Sequence, residues 1–266
     1  MHSKPYPSIA AIGDGVGRLI CGHIDLAFRD IMPGTGVEID RRFIRLVTGE
    51  PHPFGNFACM VDPADLEATK AAVGPLLGCR APSAVFFTGL VSEAVTQELN
   101  ASGFQRHGGL PAMAVEIEKL SSTALPAGYA FARVDSAAQR DAWADVFARG
   151  YGLPLRVGGA FAGGIKGDKT EDAPLQYFWI LKDGRPVCTS MLYLKDGVAG
   201  IYGVATLAEE RGKGLGAFAT GEPLRVAHRL GYRVGVLQAS EDGHPVYRRI
   251  GFTDFGEVPL YVRIPG

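Results

Sequence analysis

The stretch Val204-Ala-Thr-Leu-Ala-Glu-Glu-Arg-Gly-Lys-Gly-Leu-Gly216 reads as a strand end followed by a glycine-rich turn. A helix then follows from Ala217 to Leu230. Glycines at 212, 214 and 216 carry no Cβ, so the backbone can approach an anion closely. The first turn of the helix offers unpaired N–H groups and the positive end of its dipole. Together these suit a pyrophosphate. Arg211 and Lys213 can add charge. The turn lacks the G-x-x-x-x-G-K-[ST] of a P-loop. It also misses the last spacing of the dinucleotide fingerprint and lies near the chain's end instead of opening a domain. The other reading of the turn is a surface loop rich in glycine for flexibility.

The ordered set around this turn resembles the acyl-CoA-binding signature of the GNAT superfamily of N-acetyltransferases. The set consists of a Val-x-Thr strand end, Arg-x-x-Gly-x-Gly, a strand Val234-Gly-Val-Leu-Gln-Ala-Ser240, then Pro245-Val-Tyr247 and Gly251-Phe252. It covers roughly residues 129 to 264. The resemblance implies that acetyl-CoA is the cosubstrate. Its pantetheine arm would pair with the strand carrying Val204, Ala205 and Thr206. Arg211, Gly212, Lys213, Gly214, Leu215, Gly216 and Ala217 would hold its phosphates, and Ser240 and Glu241 would end the next strand against it. It further implies direct acyl transfer to a primary amine, with a backbone N–H near Val204 polarising the carbonyl. Tyr247 would be the catalytic general acid that protonates the leaving thiolate, a phenol of pKa about 10 being suited to that task. The other reading of Tyr247 is a ring packed in the core.

The general base is open. The strand Val198–Thr206 has no carboxylate. Glu209 and Glu210 read as solvated turn residues, and Asp242 and His244 as loop residues. Tyr202, acting through water, and the terminal carboxyl of Gly266 are further candidates. A non-catalytic acyl-CoA-binding or regulatory protein, or transfer of a longer acyl chain, is the alternative.

Two series of elements position these residues. In the first, an amphipathic helix from residue 13 to about Pro33-Gly34 precedes strands at Phe43–Val47 and Phe57–Val61. Asp62-Pro63 then opens a helix, with Asp62 as its N-cap and Pro63 in the first turn. A strand at Ala84–Phe87, a helix from Ser92 to Ala101 and a strand at Met113–Ile117 complete the series. Ser121–Gly128, small, polar and broken by Pro and Gly, reads as a linker. The second series contains strands at Tyr129–Val134, Tyr177–Leu181, Pro186–Leu194, Val198–Thr206, Arg233–Leu237 and Gly256–Ile264. Ser136 caps a helix, and Pro154 to Pro174 reads as an irregular loop. Within that loop, Gly158–Gly167 either lines the acceptor entrance or is merely flexible. Glu50–Asn56 reads as a structural loop.

Gly103-Phe104 and Gly251-Phe252 lie 148 residues apart, as do Pro111 and Pro259. This suggests an internal duplication. The expected fold is therefore α/β (α+β), with two GNAT-like domains, each a mixed, mostly antiparallel sheet flanked by helices. Residues 1–120 would form a degenerate domain without a cofactor site, and 128–266 the catalytic one. The same offset places Asp65 and Glu67 where phosphates would sit, and Leu99 in place of Tyr247. One acetyl-CoA per chain is expected.

The 266 residues are 47% hydrophobic and 21% charged, with net charge −1. Such a composition fits a globular chain and gives no field for nucleic acid or anionic lipid. No apolar run of membrane-spanning length or secretion signal occurs, so a cytoplasmic protein is expected. The four cysteines read as reduced core residues, and neither they nor the six histidines show metal-ligand spacing, so no metal is expected. The partner is a small-molecule or peptide amine acceptor; its identity and a homodimer both stay open.

Overall fold

Val16, Ile20, Ile24, Ala27, Phe28 and Ile31 recur at helical spacing and form the buried face of α1 (Val16–Ile31). The computed structural model describes residues 4–32, 34, 36–165, 170 and 172–265. Pro33, Lys166, Gly167 and Gly266, which enter the expectations above, lie outside the described residues. After α1 come β1 (Val37–Ile39), β2 (Phe43–Val47), β3 (Asn56–Met60), α2 (Leu66–Gly78), β4 (Ser83–Phe87), α3 (Glu93–Ala101) and β5 (Gln105–Glu116). The second half holds β6 (Tyr129–Val134), α4 (Arg140–Tyr151), α5 (Leu155–Phe161), β7 (Leu175–Lys182), β8 (Arg185–Lys195) and β9 (Val198–Thr206). It closes with α6 (Leu215–Arg229), β10 (Val234–Gln238), α7 (His244–Arg249) and β11 (Thr253–Arg263).

Among the described residues, eleven strands join one sheet, in the order β1-β2-β3-β4-β11-β5-β10-β9-β8-β7-β6. The β3–β4 and β9–β10 pairs are parallel and the others antiparallel. The chain thus has a mixed α/β fold with two similar halves. Each half takes its last strand from the other: β11 lies on β4, and β5 lies on β10. The exchanged strands meet in the middle, where Val258 faces Leu110. These two positions differ by 148, so the pair sits on the pseudo-twofold axis. Around it, Pro259 faces Gly109 and Glu257 faces Pro111, which are images of each other under the same offset.

One apolar core spans both halves. Phe28 contacts Phe57 at 5.0 Å and Phe161 at 6.1 Å between ring centroids, tying α1 to β3 and to α5. Burying one such ring stabilises the fold by roughly 1.5–3 kcal/mol.

Local chemistry sets the element boundaries. Ser92 accepts from the Val95 N–H to cap α3, and Ser136 with Gln139 forms a capping box ahead of α4. Asp62 does not cap α2. Its carboxylate closes a short turn onto the Ala64 N–H at 2.8 Å, and Asp65 caps the helix through the Ala68 N–H at 2.9 Å. The stretch after Pro154 is also not wholly irregular. Val157 and Phe161, one helical turn apart, bury their side chains and hold α5 despite its two glycines. β5 begins eight residues before Met113, because β11 pairs with its first part. All four cysteines are free.

Candidate active site

The parallel strands β9 and β10 are in register only at Ala199–Gly235 and Gly200–Val236. β9 runs on to Thr206 without β10 beside it, so a cleft opens between their C-terminal ends. The corresponding pair in the first half stays closed, with β3 and β4 matched from Phe57–Ala84 to Met60–Phe87. On its other edge β9 remains on β8 through a bulge, where the register jumps between Ala205–Thr189 and Tyr202–Met191. Gly203 takes φ +59° there, and the Thr189 hydroxyl donates to its carbonyl at 2.9 Å.

The turn after β9 has two glycines in left-handed conformation, Gly212 at φ +77° and Gly214 at φ +78°. Gly214 occupies the N-cap of α6, and no side chain caps that helix. Gly212, Lys213 and Gly214 are exposed. Leu215 is buried under the turn, while Gly216 and Ala217 form the first helical turn, half-buried. Arg211 and Lys213 have partners within the protein. The Arg211 guanidinium donates to the Thr206 carbonyl at 3.3 Å and to the Gly150 carbonyl at 2.7 Å, tying the turn to α4. Lys213 lies 2.7 Å from the Glu210 carboxylate.

Glu210 is not a solvated turn residue. It is only 6% exposed and is bonded to Lys182 at 2.8 Å, to Lys213 and to the Tyr129 hydroxyl. These three donors, in that order, hold its carboxyl down at about 2.

Tyr247 is brought to the cleft by α7. Its ring is buried, 6.0 Å from the Phe252 ring. Burial raises its phenol well above the ordinary tyrosine range, with Thr220 of α6 opposing in part. Ser240, just past β10, accepts from the Gly243 N–H at 3.2 Å and so shapes the turn into α7; Glu241 next to it is exposed. Tyr247, Ser240, Val204 and Gly203 border a cavity of about 280 Å³. Ala205 and Thr206 continue β9 beyond it, Ala205 buried and Thr206 half-buried.

Both halves build the cavity. From the second half, Phe147 and Tyr151 of α4 enter the wall. From the first come Ile24 and Phe28 of α1, Leu110 of β5, and His52 and Phe54. The loop holding His52 and Phe54 is fixed by the buried Asn56 amide, which donates to the Glu50, His52 and Pro82 carbonyls. Tyr202, also in the wall, lies 2.7 Å from His23 Nδ1 on α1. His23 is fully buried, and its pKa falls to about 4, first through burial.

Of the residues considered as bases, Tyr202 lies in the cavity wall, Gly266 lies outside the described residues, and the others do not line the cavity. Glu209 is exposed against Arg149, Asp242 is exposed, and His244 pairs with Asp254 at 2.8 Å. The first-half wall residues carried no local signal in the sequence, since the exchanged strands and the tertiary fold of α1 deliver them.

Among the described residues no group of three His, Cys, Asp or Glu side chains could hold a metal, and no helix is long and apolar enough to cross a membrane.

The profile of the Acetyltransferase (GNAT) family matches residues 138–252, which include β9, the glycine turn, α6, β10 and Tyr247. No curated protein matches the chain in sequence. Solved structures of similar fold include a GCN5-related N-acetyltransferase from Kribbella flavida, 21% identical, covering 93% of this chain and 94% of its own, at TM-score 0.58. Another is a GCN5-related N-acetyltransferase from Sphaerobacter thermophilus, 15% identical, covering 100% and 96%, at TM-score 0.59. A third is a tandem GNAT protein from the clavulanic acid biosynthesis pathway, 13% identical, covering 99% and 98%, at TM-score 0.52. These neighbours share the fold of the whole chain, and the family profile lies on the half that carries the open cleft. Residues 138–252 thus match the GNAT family, and the chain as a whole has the fold of these structures.

Proposed function

We propose that the chain is an acetyl-CoA-dependent N-acetyltransferase that moves an acetyl group to a primary amine by direct attack, with Tyr247 as general acid. The observation that carries this reading is the parting of β9 from β10 beyond Gly200 and Val236, with Tyr247 in the cleft and the uncapped start of α6 at its mouth. The residues fit the cosubstrate. Gly212 and Gly214 hold left-handed, exposed backbone in front of free helical N–H groups, as a diphosphate requires. Arg211, Lys213, Leu215, Gly216 and Ala217 complete this phosphate site. Arg211 does so by fixing the turn to α4. Val204, Ala205 and Thr206 leave strand backbone to pair with the pantetheine arm, and Ser240 and Glu241 border it from β10.

Acetyl-CoA supplies an activated thioester carbonyl. Tyr247 holds a proton at Oη, kept there by burial, and delivers it to the departing sulfur. A β9 N–H near Val204 polarises the carbonyl. Residues 1–120 act as a degenerate partner domain that walls the acceptor cavity, and residues 128–266 as the catalytic domain. Titration calorimetry with acetyl-CoA should give one equivalent per chain, and a thiol-release assay with amines should give turnover. Binding without thiol release for any amine would leave a non-catalytic acyl-CoA-binding protein as the reading. No binding would overturn the site.

A further inference from the structure

The cavity beside Tyr247 has an unusual wall for an enzyme acting on amines. Among its described lining residues there is no Asp, Glu, Lys or Arg. Its polar side chains are His52, Tyr151, Tyr202, Gln238, Ser240 and Tyr247. Burial lowers His52 and raises the phenols of Tyr202 and Tyr247, so these three stay uncharged between pH 7 and 9. Tyr202 leans on His23, itself neutral and buried. The remaining wall is apolar and rich in rings, with Phe28, Phe54, Phe147 and Phe161 surrounding the space. An alkylammonium ion, with a pKa near the lysine value of about 10.4, would enter this cavity charged and meet no counter-ion. Burying such an unpaired charge is strongly unfavourable.

Proton balance points the same way. When a neutral amine is acylated, the C–N bond forms as the C–S bond breaks. The electron pair leaves on sulfur, sulfur takes the Tyr247 proton, and the proton released from nitrogen returns to the Tyr247 oxygen. One proton lost and one gained close the cycle without another base. An ammonium ion carries an extra proton that must first go to a base, and the described cavity wall offers no carboxylate to receive it.

Resting on the acetyltransferase reading above, we propose that the acceptor is an aromatic amine, an apolar ring system whose nitrogen is already uncharged at neutral pH. About 280 Å³ lies near the lower end of small-molecule sites, roughly 300–1,000 Å³, which suits a small acceptor.

The test compares two amines that differ in charge and share their ring body: 2-naphthylamine, neutral at pH 7, and 1-naphthylmethylamine, an ammonium ion at pH 7. Spermidine serves as a polycationic control. Acetyl-CoA binding to the full chain is first measured by calorimetry. Thiol release should then show kcat/KM for 2-naphthylamine at least tenfold above that for 1-naphthylmethylamine at pH 7. The gap should narrow towards pH 9, as the alkylamine loses its proton. Calorimetry without acetyl-CoA should show 2-naphthylamine binding and no binding of the ammonium ion at pH 7. Leu110→Glu, which puts a carboxylate in the wall, should raise the relative rate of the alkylamine; should that variant not fold, the wild-type comparison decides. Preference for 1-naphthylmethylamine or spermidine at pH 7, or no binding of 2-naphthylamine while acetyl-CoA binds, overturns the aromatic-amine proposal alone. Absence of acetyl-CoA binding overturns both it and the function on which it rests.

Discussion

His23 Nδ1 lies 2.7 Å from the Tyr202 hydroxyl, joining the first helix of one half to the open-cleft strand of the other. Gly200 makes the approach feasible. A Cβ there would fall 2.4 Å from His23 Cε1 and 2.7 Å from Tyr202 Cε2. Both rings are locked in the core, so neither can yield easily. Gly200→Ala should destabilise the fold by about 1–3 kcal/mol, as overpacking does. It should also weaken acceptor binding, because Tyr202 forms part of the cavity. Chemical denaturation and an acceptor KM measure the two effects, and an unaltered midpoint would contradict the packing argument.

The same histidine gives a pH dependence with a defined sign. Its native pKa of about 4 lies below the ordinary 6.5, so the unfolded chain binds a proton that the native chain refuses. This contribution to stability is whole above pH 6.5 and is lost as pH falls through 6.5 towards 4. Unfolding free energies measured from pH 7 to 4.5 should fall more steeply for the wild type than for His23→Gln, by up to about 1.4 kcal/mol per pH unit. Equal slopes would mean that His23 is not buried neutral.

Tyr247→Phe removes the hydroxyl and keeps the ring against Phe252. Turnover should fall by roughly 100-fold or more, the usual worth of a positioned acid. The acetyl-CoA dissociation constant should stay within about twofold. Because burial lifts this phenol, wild-type kcat should show no loss on the alkaline side up to pH 9. An unchanged kcat in the variant removes Tyr247 from the chemistry.

The phosphate site depends on backbone more than on charge. Lys213 is already paired with Glu210, which also holds Lys182 and the Tyr129 hydroxyl. Lys213→Ala should therefore weaken acetyl-CoA binding by only about threefold. Gly214→Val asks a β-branched residue to adopt φ +78° at the helix N-cap, a conformation that costs roughly 1–2 kcal/mol even before any clash with ligand. Calorimetry should show binding lost or reduced at least tenfold. The reverse order of effects would make Lys213 the main phosphate contact.

The residues legible in the sequence were those whose chemistry is encoded locally. The glycines at 212 and 214, the helix behind them and the Pro-Val-Tyr helix depend on neighbours within a few positions. The duplication was legible as well, through the matched Gly-Phe pairs, and the Leu110–Val258 pair on the pseudo-axis agrees with it. The exchange of β5 and β11 was not legible, because either partner satisfies the same antiparallel pattern and long-range pairing leaves no periodic mark. Everything delivered by long-range assembly was hidden with it: Leu110 and His52 in the cavity, His23 behind Tyr202, and the Lys182 and Tyr129 partners of Glu210. The cap of α2 was misplaced because Asp62 and Asp65 both offer capping chemistry three residues apart, and only packing of the following helix chooses between them.

The first half should not bind a second acetyl-CoA, for two separable reasons. At the start of α2, the counterpart of α6, Asp65 fills the anion position with its own carboxylate and accepts from the Ala68 N–H at 2.9 Å. Beside it, β3 and β4 stay paired through Met60–Phe87, so no strand edge is left open for a pantetheine arm. Leu99, the counterpart of Tyr247, is fully buried. Asp65→Ala removes the carboxylate and the cap, and should lower stability by about 1 kcal/mol. It should leave the stoichiometry at one acetyl-CoA per chain, since the closed strands still exclude the ligand. Gly214→Val, alone or combined with Asp65→Ala, should leave no equivalent that binds within tenfold of the wild-type affinity. A residual equivalent of wild-type affinity in the double variant would show that the first half holds a site of its own.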